Sequence, residues 1–220
     1  MKNFLSNALT GVLVVCAVIV TGLLVRREFG GSKSTSPVIA VDSVANWKEV
    51  AATGSIIGSP DAPLKIVEFS DFQCPSCAQS RIALEAIRAE HPDIVALVYR
   101  HFPLTDIHAH ALPAAIAAEC AGEQDRFGAY HDALFQHQDS IGAKPWRRYA
   151  EEVGVKDLTA FEKCVQAERP RARIASDMAL GQGLSVSGTP TFIFRERMVS
   201  GTTSIPMLAE WVREAAQDIQ

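Results

Sequence analysis

The decapeptide EFSDFQCPSC, from Glu68 to Cys77, decides how the rest of the chain can be interpreted. It completes an apolar run that begins at Leu64 and has the pattern of a buried strand containing one acid. A helical pattern of apolar residues follows directly after the second cysteine. The thiols of Cys74 and Cys77 are therefore expected at the N-terminal end of a helix, immediately after a strand.

The N-terminal end of a helix favours thiol chemistry. Its first N–H groups have no partner within the helix and the macrodipole is positive there, so a thiolate at Cys74 is stabilised. Pro75 suits the first helical position because it lacks an N–H group. Cys74, the more exposed of the two, is expected to attack, and Cys77 to resolve the mixed disulfide. A structural zinc half-site or a plain structural disulfide is the alternative, but the chain has no second CxxC motif to complete four zinc ligands.

The number of cysteines indicates an oxidising compartment. Of the five, Cys16 lies in an N-terminal apolar segment, which leaves an even number for the folded body. With Cys74 and Cys77 taken as one pair, Cys120 and Cys164 are predicted to form a second, structural disulfide. Two free buried thiols are the alternative for this second pair.

The N-terminus predicts a membrane segment over residues 1–28. An apolar run of 18 residues, 8–25, would span about 27 Å as a helix. Arg26 and Arg27 follow it where a cleaved signal would have a small-x-small site, so an uncleaved anchor is favoured over a cleaved signal peptide. Positive charges flank the run on both sides and do not fix its orientation. The body is placed outside the cytoplasm because its chemistry requires that.

The remaining chain is predicted to contain one α/β domain with an insertion. Residues 29–58 are predicted to be a linker, Gly/Ser-rich at its start. Residues 59–104 contain a strand–helix–strand unit, which is typical of a right-handed crossover between parallel strands. Residues 105–184 have a helical pattern throughout and are too many for a simple connection. Residues 185–220 return to strands and a last helix.

Charge and histidine spacing exclude two classes of function. The formal net charge is −4 and no basic stripe is present, so nucleic acid is not an expected partner. His108 and His110 are the only histidines near ligand spacing, and two residues apart is poor spacing for one helical face. The histidines are therefore expected to be solvated or locally hydrogen-bonded, and no metal or other cofactor is predicted.

One set of residues along the chain matches a known pattern: Glu68, Phe69, Phe72, Cys74-Pro75-Ser76-Cys77 and Gly188-Thr189-Pro190-Thr191-Phe192. Together these features resemble the DsbA-like family of thiol–disulfide oxidoreductases. The resemblance covers residue 59 to the C-terminus and implies a thioredoxin-like α/β fold with an inserted all-helical subdomain, here preceded by an N-terminal membrane segment. The Cys120 and Cys164 pair also resembles the second disulfide of some members.

The resemblance assigns roles around the cysteines. Cys74 corresponds to the nucleophile, Cys77 to the resolving thiol, and Pro190 to a cis-proline that faces them. An ordinary trans proline at the start of a strand is the alternative. The backbone before this proline could pair with an extended substrate as a short added strand. The residues expected to bind substrate are Pro75, Ser76 and Thr189.

Glu68 and Ser76 refine the expected chemistry. Glu68 stands where the family has a buried acid, so it is expected to exchange a proton with Cys77 and to have a raised pKa. An acid on an edge strand facing water is the alternative. Ser76 stands where the strongest oxidants have histidine, which removes a positive partner of the Cys74 thiolate. The protein is therefore expected to be oxidising, but less so than the extreme cases.

The function expected is that of a protein disulfide oxidoreductase acting as a thiol oxidase. It would donate its Cys74–Cys77 disulfide to reduced, unfolded or partly folded secreted proteins through a mixed disulfide at Cys74. We expect an anchored or secreted monomer in the periplasm or on the outer face of the cytoplasmic membrane, reoxidised by a quinone-linked membrane partner, as the resemblance implies. An isomerase or reductase with the same residues is the nearest alternative. A metal-binding chaperone is a third, against which Pro190 argues because the cis-proline of the related fold blocks metal access.

Overall fold

A computed structural model of the protein describes residues 39–217, which fold into one sheet surrounded by helices. In chain order the elements are β1 (Ile39–Ser43), α1 (Trp47–Ala52), β2 (Ser55–Ile57), β3 (Leu64–Ser70), α2 (Pro75–Glu90), β4 (Val95–His101), α3 (Ala111–Gly122), α4 (Phe127–Gln136), a 3-10 helix (Gln138–Ser140), α5 (Trp146–Glu152), α6 (Leu158–Gln166), α7 (Arg171–Gly183), β5 (Thr191–Phe194), β6 (Arg197–Ser200) and α8 (Ile205–Gln217).

The sheet has β3 near its centre, between β5 and β4. The strand order is β1-β6-β5-β3-β4-β2, with β3 and β4 parallel and the other neighbouring pairs antiparallel. Helix α2 is the crossover that joins the two parallel strands, as the sequence predicts. Strands covered on both faces need nearly continuous apolar residues, and every residue of β4 is buried.

The two faces of the sheet belong to different cores. Alternation along β3 sends Val67 and Phe69 into one core, with Val98 of β4. Ile66 of β3 and Tyr99 of β4 point to the opposite face, where they pack with α2 and with the helices of residues 111–166. Glu68 shares this second face by the same alternation, so its carboxyl is directed toward the side that carries the cysteines.

The stretch predicted as a helical insertion, residues 105–184, contains helices α3 to α7, and the first of them, α3, is rich in alanine. Small side chains let neighbouring helices approach α3 closely, and nine of its residues are buried. A disulfide joins Cys120 of α3 to Cys164 of α6, with 5.8 Å between their Cα atoms. The two sulfur atoms therefore connect α3 to α6 within this helical stretch.

The predicted linker, residues 29–58, is folded in the part that the structure describes. β1 pairs with β6 at one end of the sheet, β2 pairs with β4 at the other, and α1 lies between them in sequence. Strands of three to five residues contain too few alternating positions for hydrophobic periodicity to identify them. Their hydrogen-bonding partners lie far along the chain, so the sequence pattern alone indicated a linker.

The predicted membrane segment, residues 1–28, lies outside the described residues. Within residues 39–217, no helix is both long enough and apolar enough to cross a membrane.

Candidate active site at Cys74 and Cys77

The two cysteines occupy the first turn of α2. Cys74 is the N-cap residue and Pro75 is the first helical residue. The backbone N–H of Cys77 donates to the Cys74 carbonyl at 3.1 Å, which closes the turn between them. Both residues are free thiols, and Cys74 is 6% exposed whereas Cys77 is 0% exposed. Of the two sulfurs, only that of Cys74 is therefore within reach of a second molecule.

The surroundings of Cys74 favour its thiolate. The pKa of Cys74 is lowered from 9.0 to about 6, chiefly by a hydrogen bond from the Cys77 thiol. Thr189 and the backbone N–H groups of Cys77 and Ser76 add to the effect, while burial opposes it. The free N–H groups at the start of the helix contribute as the sequence predicts, but the neighbouring thiol contributes more.

The surroundings of Cys77 have the opposite effect. Burial raises the pKa of Cys77 well above its ordinary value, and the charges of Glu68 and the Cys74 thiolate raise it further. The Ser70 hydroxyl acts in the other direction and lowers it. At neutral pH the pair therefore holds one thiolate, at Cys74, and one protonated thiol, at Cys77.

Glu68 is a buried acid next to this pair. It lies opposite Tyr99 of β4 and Phe192 of β5, and it is 1% exposed. Burial raises its pKa from 4.5 to about 8, although the Ser70 hydroxyl donates to its Oε1 atom at 2.8 Å and lowers it. β3 has neighbours on both sides, so Glu68 is not an edge-strand acid facing water. Its carboxyl group is mostly protonated at pH 7 and can supply a proton.

The Thr189–Pro190 peptide bond is cis and faces the cysteines. The Cys74 sulfur lies 3.3 Å from the Thr189 carbonyl oxygen, to which it can donate when protonated. This segment lies directly before β5, the neighbour of β3 in the sheet. The trans alternative for Pro190 is therefore not the conformation of the chain. Pro75 is exposed, and Ser76 and Thr189 are half-buried, at the same end of α2.

The turn between β3 and α2 is held by Asp71, whose role was not predicted. Its Oδ1 atom accepts from the Gln73 backbone N–H at 2.7 Å. Its Oδ2 atom accepts from the Leu104 backbone N–H at 2.8 Å and pairs with the His108 Nδ1 atom at 2.7 Å. Asp71 thereby ties the turn to the segment that leads into α3. The hydrogen bond of His108 is not the local one expected, because its partner is 37 residues away.

Gln138 of the 3-10 helix holds the same turn from the other side. Its Nε2 atom donates to the Phe72 carbonyl at 2.8 Å and to the Cys74 carbonyl at 3.0 Å. The Gln73 side chain, in turn, accepts from the His110 backbone N–H at 2.5 Å. The sequence gives no signal for these contacts because their partners are 37 to 66 residues apart.

His101 is neither solvated nor locally hydrogen-bonded as expected. It is 1% exposed, and its Nε2 atom lies 2.9 Å from Oε1 of Glu119 in α3, a partner that local spacing cannot reveal. His131 is also buried, among Phe72, Tyr99 and other aromatic rings, but its Nδ1 atom lies 3.0 Å from Oδ1 of the next residue, Asp132, which is the local hydrogen bond expected. Over residues 39–217, no group of three or more His, Cys, Asp or Glu side chains is placed to hold a metal ion.

Comparison with known sequences places the chain in a family. The family described as Thioredoxin matches residues 51–214, which contain both cysteines and Pro190. The Na(+)/H(+) antiporter NhaA 3 of Salinispora tropica is 40% identical over 158 residues, which cover 72% of this chain and 24% of that protein. The chain therefore spans about a quarter of the length of this relative.

Solved structures show the same fold. A thioredoxin-like oxidoreductase from Silicibacter pomeroyi is 30% identical, with a TM-score of 0.62 over 74% of this chain and 92% of that one. A periplasmic thioredoxin-like protein from Salmonella enterica serovar Typhimurium is 26% identical, with a TM-score of 0.60 over 78% and 97%. DsbA2 of Pseudomonas aeruginosa is 27% identical, with a TM-score of 0.60 over 74% and 94%. The chain belongs to the thioredoxin family, and within it to the DsbA-like thiol–disulfide oxidoreductases.

Proposed function

We propose that the protein is a thiol oxidase that donates its Cys74–Cys77 disulfide to other proteins. The observation that carries this proposal is that the two sulfur atoms differ in exposure and in pKa. The Cys74 sulfur is partly exposed and its thiolate is stabilised, whereas the Cys77 thiol is buried and close to the protonated carboxyl of Glu68. This arrangement suits a disulfide that is attacked at one sulfur and releases the other.

The reaction has two exchange steps. A substrate thiolate attacks the Cys74 sulfur, the Cys74–Cys77 bond breaks, and the Cys77 thiolate takes a proton that originates at Glu68. The second thiol of the substrate loses its proton and attacks the substrate sulfur of the mixed disulfide. Cys74 then leaves as a thiolate. The substrate departs with a new disulfide, and the enzyme has gained two electrons.

The stabilised Cys74 thiolate supports the proposed direction of electron flow. A shift of the Cys74 pKa from 9.0 to about 6 favours the reduced enzyme at pH 7 by about 1.4 kcal/mol. This corresponds to about 30 mV before solvent screening reduces the effect. Stabilising the reduced form makes the disulfide a better oxidant. A rise of about 30 mV in the reduction potential is consistent with an oxidant weaker than the extreme members of the family, which have histidine where this chain has Ser76.

Substrate proteins would bind in extended form beside the cis-proline. The Thr189 carbonyl already contacts Cys74, so a strand that pairs with the Thr189 backbone would bring its own cysteine to this sulfur. Pro75 and Ser76 would border the same strand at the start of α2. Because the site offers backbone pairing and few side-chain contacts, we expect it to accept many reduced, partly folded proteins.

The proposed location is outside the cytoplasm. The Cys120–Cys164 disulfide is typical of an oxidising compartment, and one structural neighbour is described as periplasmic. We further propose that residues 1–28 anchor the chain in the membrane and that a quinone-linked membrane partner reoxidises Cys74 and Cys77. The protein would act as a monomer.

The experiment that tests the proposal measures both direction and potential. The full chain, in catalytic amount, is incubated with a reduced two-cysteine peptide and oxidised glutathione, and the disulfide peptide is quantified. We expect faster oxidation than with a Cys74→Ser variant, and a potential clearly above the value of about −270 mV of thioredoxin. Insulin reduction without peptide oxidation, or a potential at that of thioredoxin, would instead indicate a reductase or isomerase. Tight binding of zinc by the reduced pair would indicate a metal-binding chaperone.

A further inference from the structure

In the part of the chain that the structure describes, no direct hydrogen bond joins the carboxyl of Glu68 to the thiol of Cys77. Glu68 is 1% exposed and Cys77 is 0% exposed, so neither can exchange a proton with bulk water at its own surface. Within residues 39–217, the hydrogen bond that Glu68 makes through its side chain is the one with Ser70. A proton that passes from Glu68 to Cys77 therefore needs an intermediate group.

Ser70 can serve as that intermediate group. It is the last residue of β3, and the alternation of the strand places its side chain on the same face as that of Glu68. Its hydroxyl lies 2.8 Å from the Glu68 Oε1 atom and is itself buried, at 1% exposure. Cys77 packs on this same face of the sheet, with Ile66 and Tyr99, and the Ser70 hydroxyl lowers the pKa of both Glu68 and Cys77.

We propose that Ser70 is a proton relay between Glu68 and Cys77. When the Cys77 thiolate is released, the Ser70 hydroxyl gives its proton to the sulfur. In the same movement, the Glu68 carboxyl gives its proton to the Ser70 oxygen, so the serine is unchanged and the carboxyl becomes charged. In the reverse direction each proton moves back. The relay rests on the proposed exchange at Cys74 and Cys77, but it applies to either direction of electron flow.

A relay matters here because Cys77 is a poor leaving group. Thiols with a high pKa leave slowly in disulfide exchange, and burial raises the pKa of Cys77 well above its ordinary value. Donation of a proton by a positioned group contributes about 10²- to 10⁴-fold in rate. Loss of the hydroxyl is therefore expected to slow the release of Cys77 at least tenfold at pH 7.

The test measures a single reduction of the full chain. The oxidised protein is mixed with one equivalent of dithiothreitol between pH 5.5 and 8.5, quenched with acid, alkylated and read by the mass of the peptide that spans both cysteines. Rates are divided by the concentration of dithiothreitol thiolate. We expect Ser70→Ala to be at least tenfold slower than wild type and to lose the fall in rate that accompanies ionisation of Glu68. Ser70→Thr, which keeps the hydroxyl, should restore the rate and the pH profile.

Two further variants separate a relay from a structural effect. In a Glu68→Gln background, Ser70→Ala should have no additional effect, because both residues serve the same proton. Tyr99→Phe removes another buried hydroxyl on the same face of the sheet, whose pKa also responds to Ser70, Glu68 and Cys77, so it tests whether that hydroxyl carries the proton instead; a relay through Ser70 predicts a smaller loss than in Ser70→Ala. Urea midpoints confirm that each variant is folded.

Three results would overturn the relay. The first is a Ser70→Ala rate within twofold of wild type with an unchanged pH profile. The second is an equal slowing by Ser70→Ala with and without Glu68, and the third is a larger loss in Tyr99→Phe than in Ser70→Ala. Because dithiothreitol replaces the protein substrate, failure of the proposed oxidase function would leave this measurement interpretable.

Discussion

Replacement of Glu68 by glutamine is expected to stabilise the protein in a way that depends on pH. Burial raises the pKa of this carboxyl from 4.5 to about 8 in the folded state. Below pH 4.5 this carboxyl is protonated in both the folded and the unfolded chain, so it does not lower the free energy of unfolding. Between pH 4.5 and 8 the unfolded chain ionises while the folded protein does not. Stability is therefore lost as pH rises through this window.

The size of this loss of stability follows from the shift in the pKa of Glu68. At pH 7 the unfolded carboxyl is about 2.5 pH units above its pKa, whereas the folded one is still mostly protonated. At about 1.36 kcal/mol per unit, the wild-type protein loses about 3 kcal/mol between pH 4 and pH 7 through this group alone. Glutamine has nearly the same shape, can accept the Ser70 hydrogen bond and does not ionise. The variant therefore avoids the loss.

Urea unfolding measures this difference. The comparison is best made in a chain that carries Cys74→Ser and Cys77→Ser, so that no reducing agent is needed and the second disulfide stays intact. The Cys74 charge makes a small part of the Glu68 shift, so the gain in this background should be slightly below 3 kcal/mol. Unfolding free energies with and without Glu68→Gln are compared at pH 4.0, 5.5 and 7.0.

We expect Glu68→Gln to raise the free energy of unfolding by close to zero at pH 4.0 and by a steadily larger amount up to pH 7.0. Glu49→Gln, a change at an exposed acid of α1, is the matched control and should vary by no more than about 0.5 kcal/mol over the same range. A gain that is constant with pH, or one that shrinks as pH rises, would refute a buried and protonated Glu68. The proton donor of the proposed reaction would be lost with it.

Three further predictions concern the cysteines and the turn before α2. The rate of alkylation of Cys74 by iodoacetamide in the reduced protein should reach half its maximum near pH 6, since the thiolate is the reacting form; a midpoint above pH 8 would contradict the stabilised thiolate. Gln138→Ala removes two hydrogen bonds to the turn, so it should lower the unfolding free energy by about 1–3 kcal/mol and shift the pH midpoint of Cys74 alkylation. Gln138→Glu keeps the length of the side chain but cannot donate these hydrogen bonds, so it should restore neither the stability nor the midpoint. Replacing Cys120 and Cys164 together by alanine should lower the unfolding free energy by about 2–4 kcal/mol, measured by urea unfolding. The rate of dithiothreitol exchange at Cys74 should stay within about twofold of wild type. If stability and exchange rate both fell, the second disulfide would be needed for the site itself.

The reactive half of the site is readable from the sequence because its signals are local. Two cysteines, a proline and the start of a helix lie within four residues, and the strand before them is a short apolar run. The cis conformation of Pro190 was expected from the family resemblance and not from spacing. The burial of Glu68 depends on which strands flank β3, and one alternating residue could not establish it.

The supporting half of the site could not be predicted from the sequence because it depends on long-range contacts. Asp71, Gln73 and Gln138 are polar residues that any turn or helix end could carry. Their importance follows from partners 33 to 66 residues away, which only the folded chain brings near. Ser70 is closer in sequence to its partner, but its role depends on the buried face that β3 presents to α2.

The insertion's disulfide has a consequence for how each new molecule matures. A newly made chain exposes four thiols in its folded region, and these can be paired in three ways. Once the insertion has closed, Cys120 and Cys164 are both 0% exposed, so no outside sulfur can attack them without opening the helices. Folding thus keeps the Cys120–Cys164 bond apart from the exchangeable pair, and the proposed exchange at Cys74 could be repeated without rearranging the second disulfide.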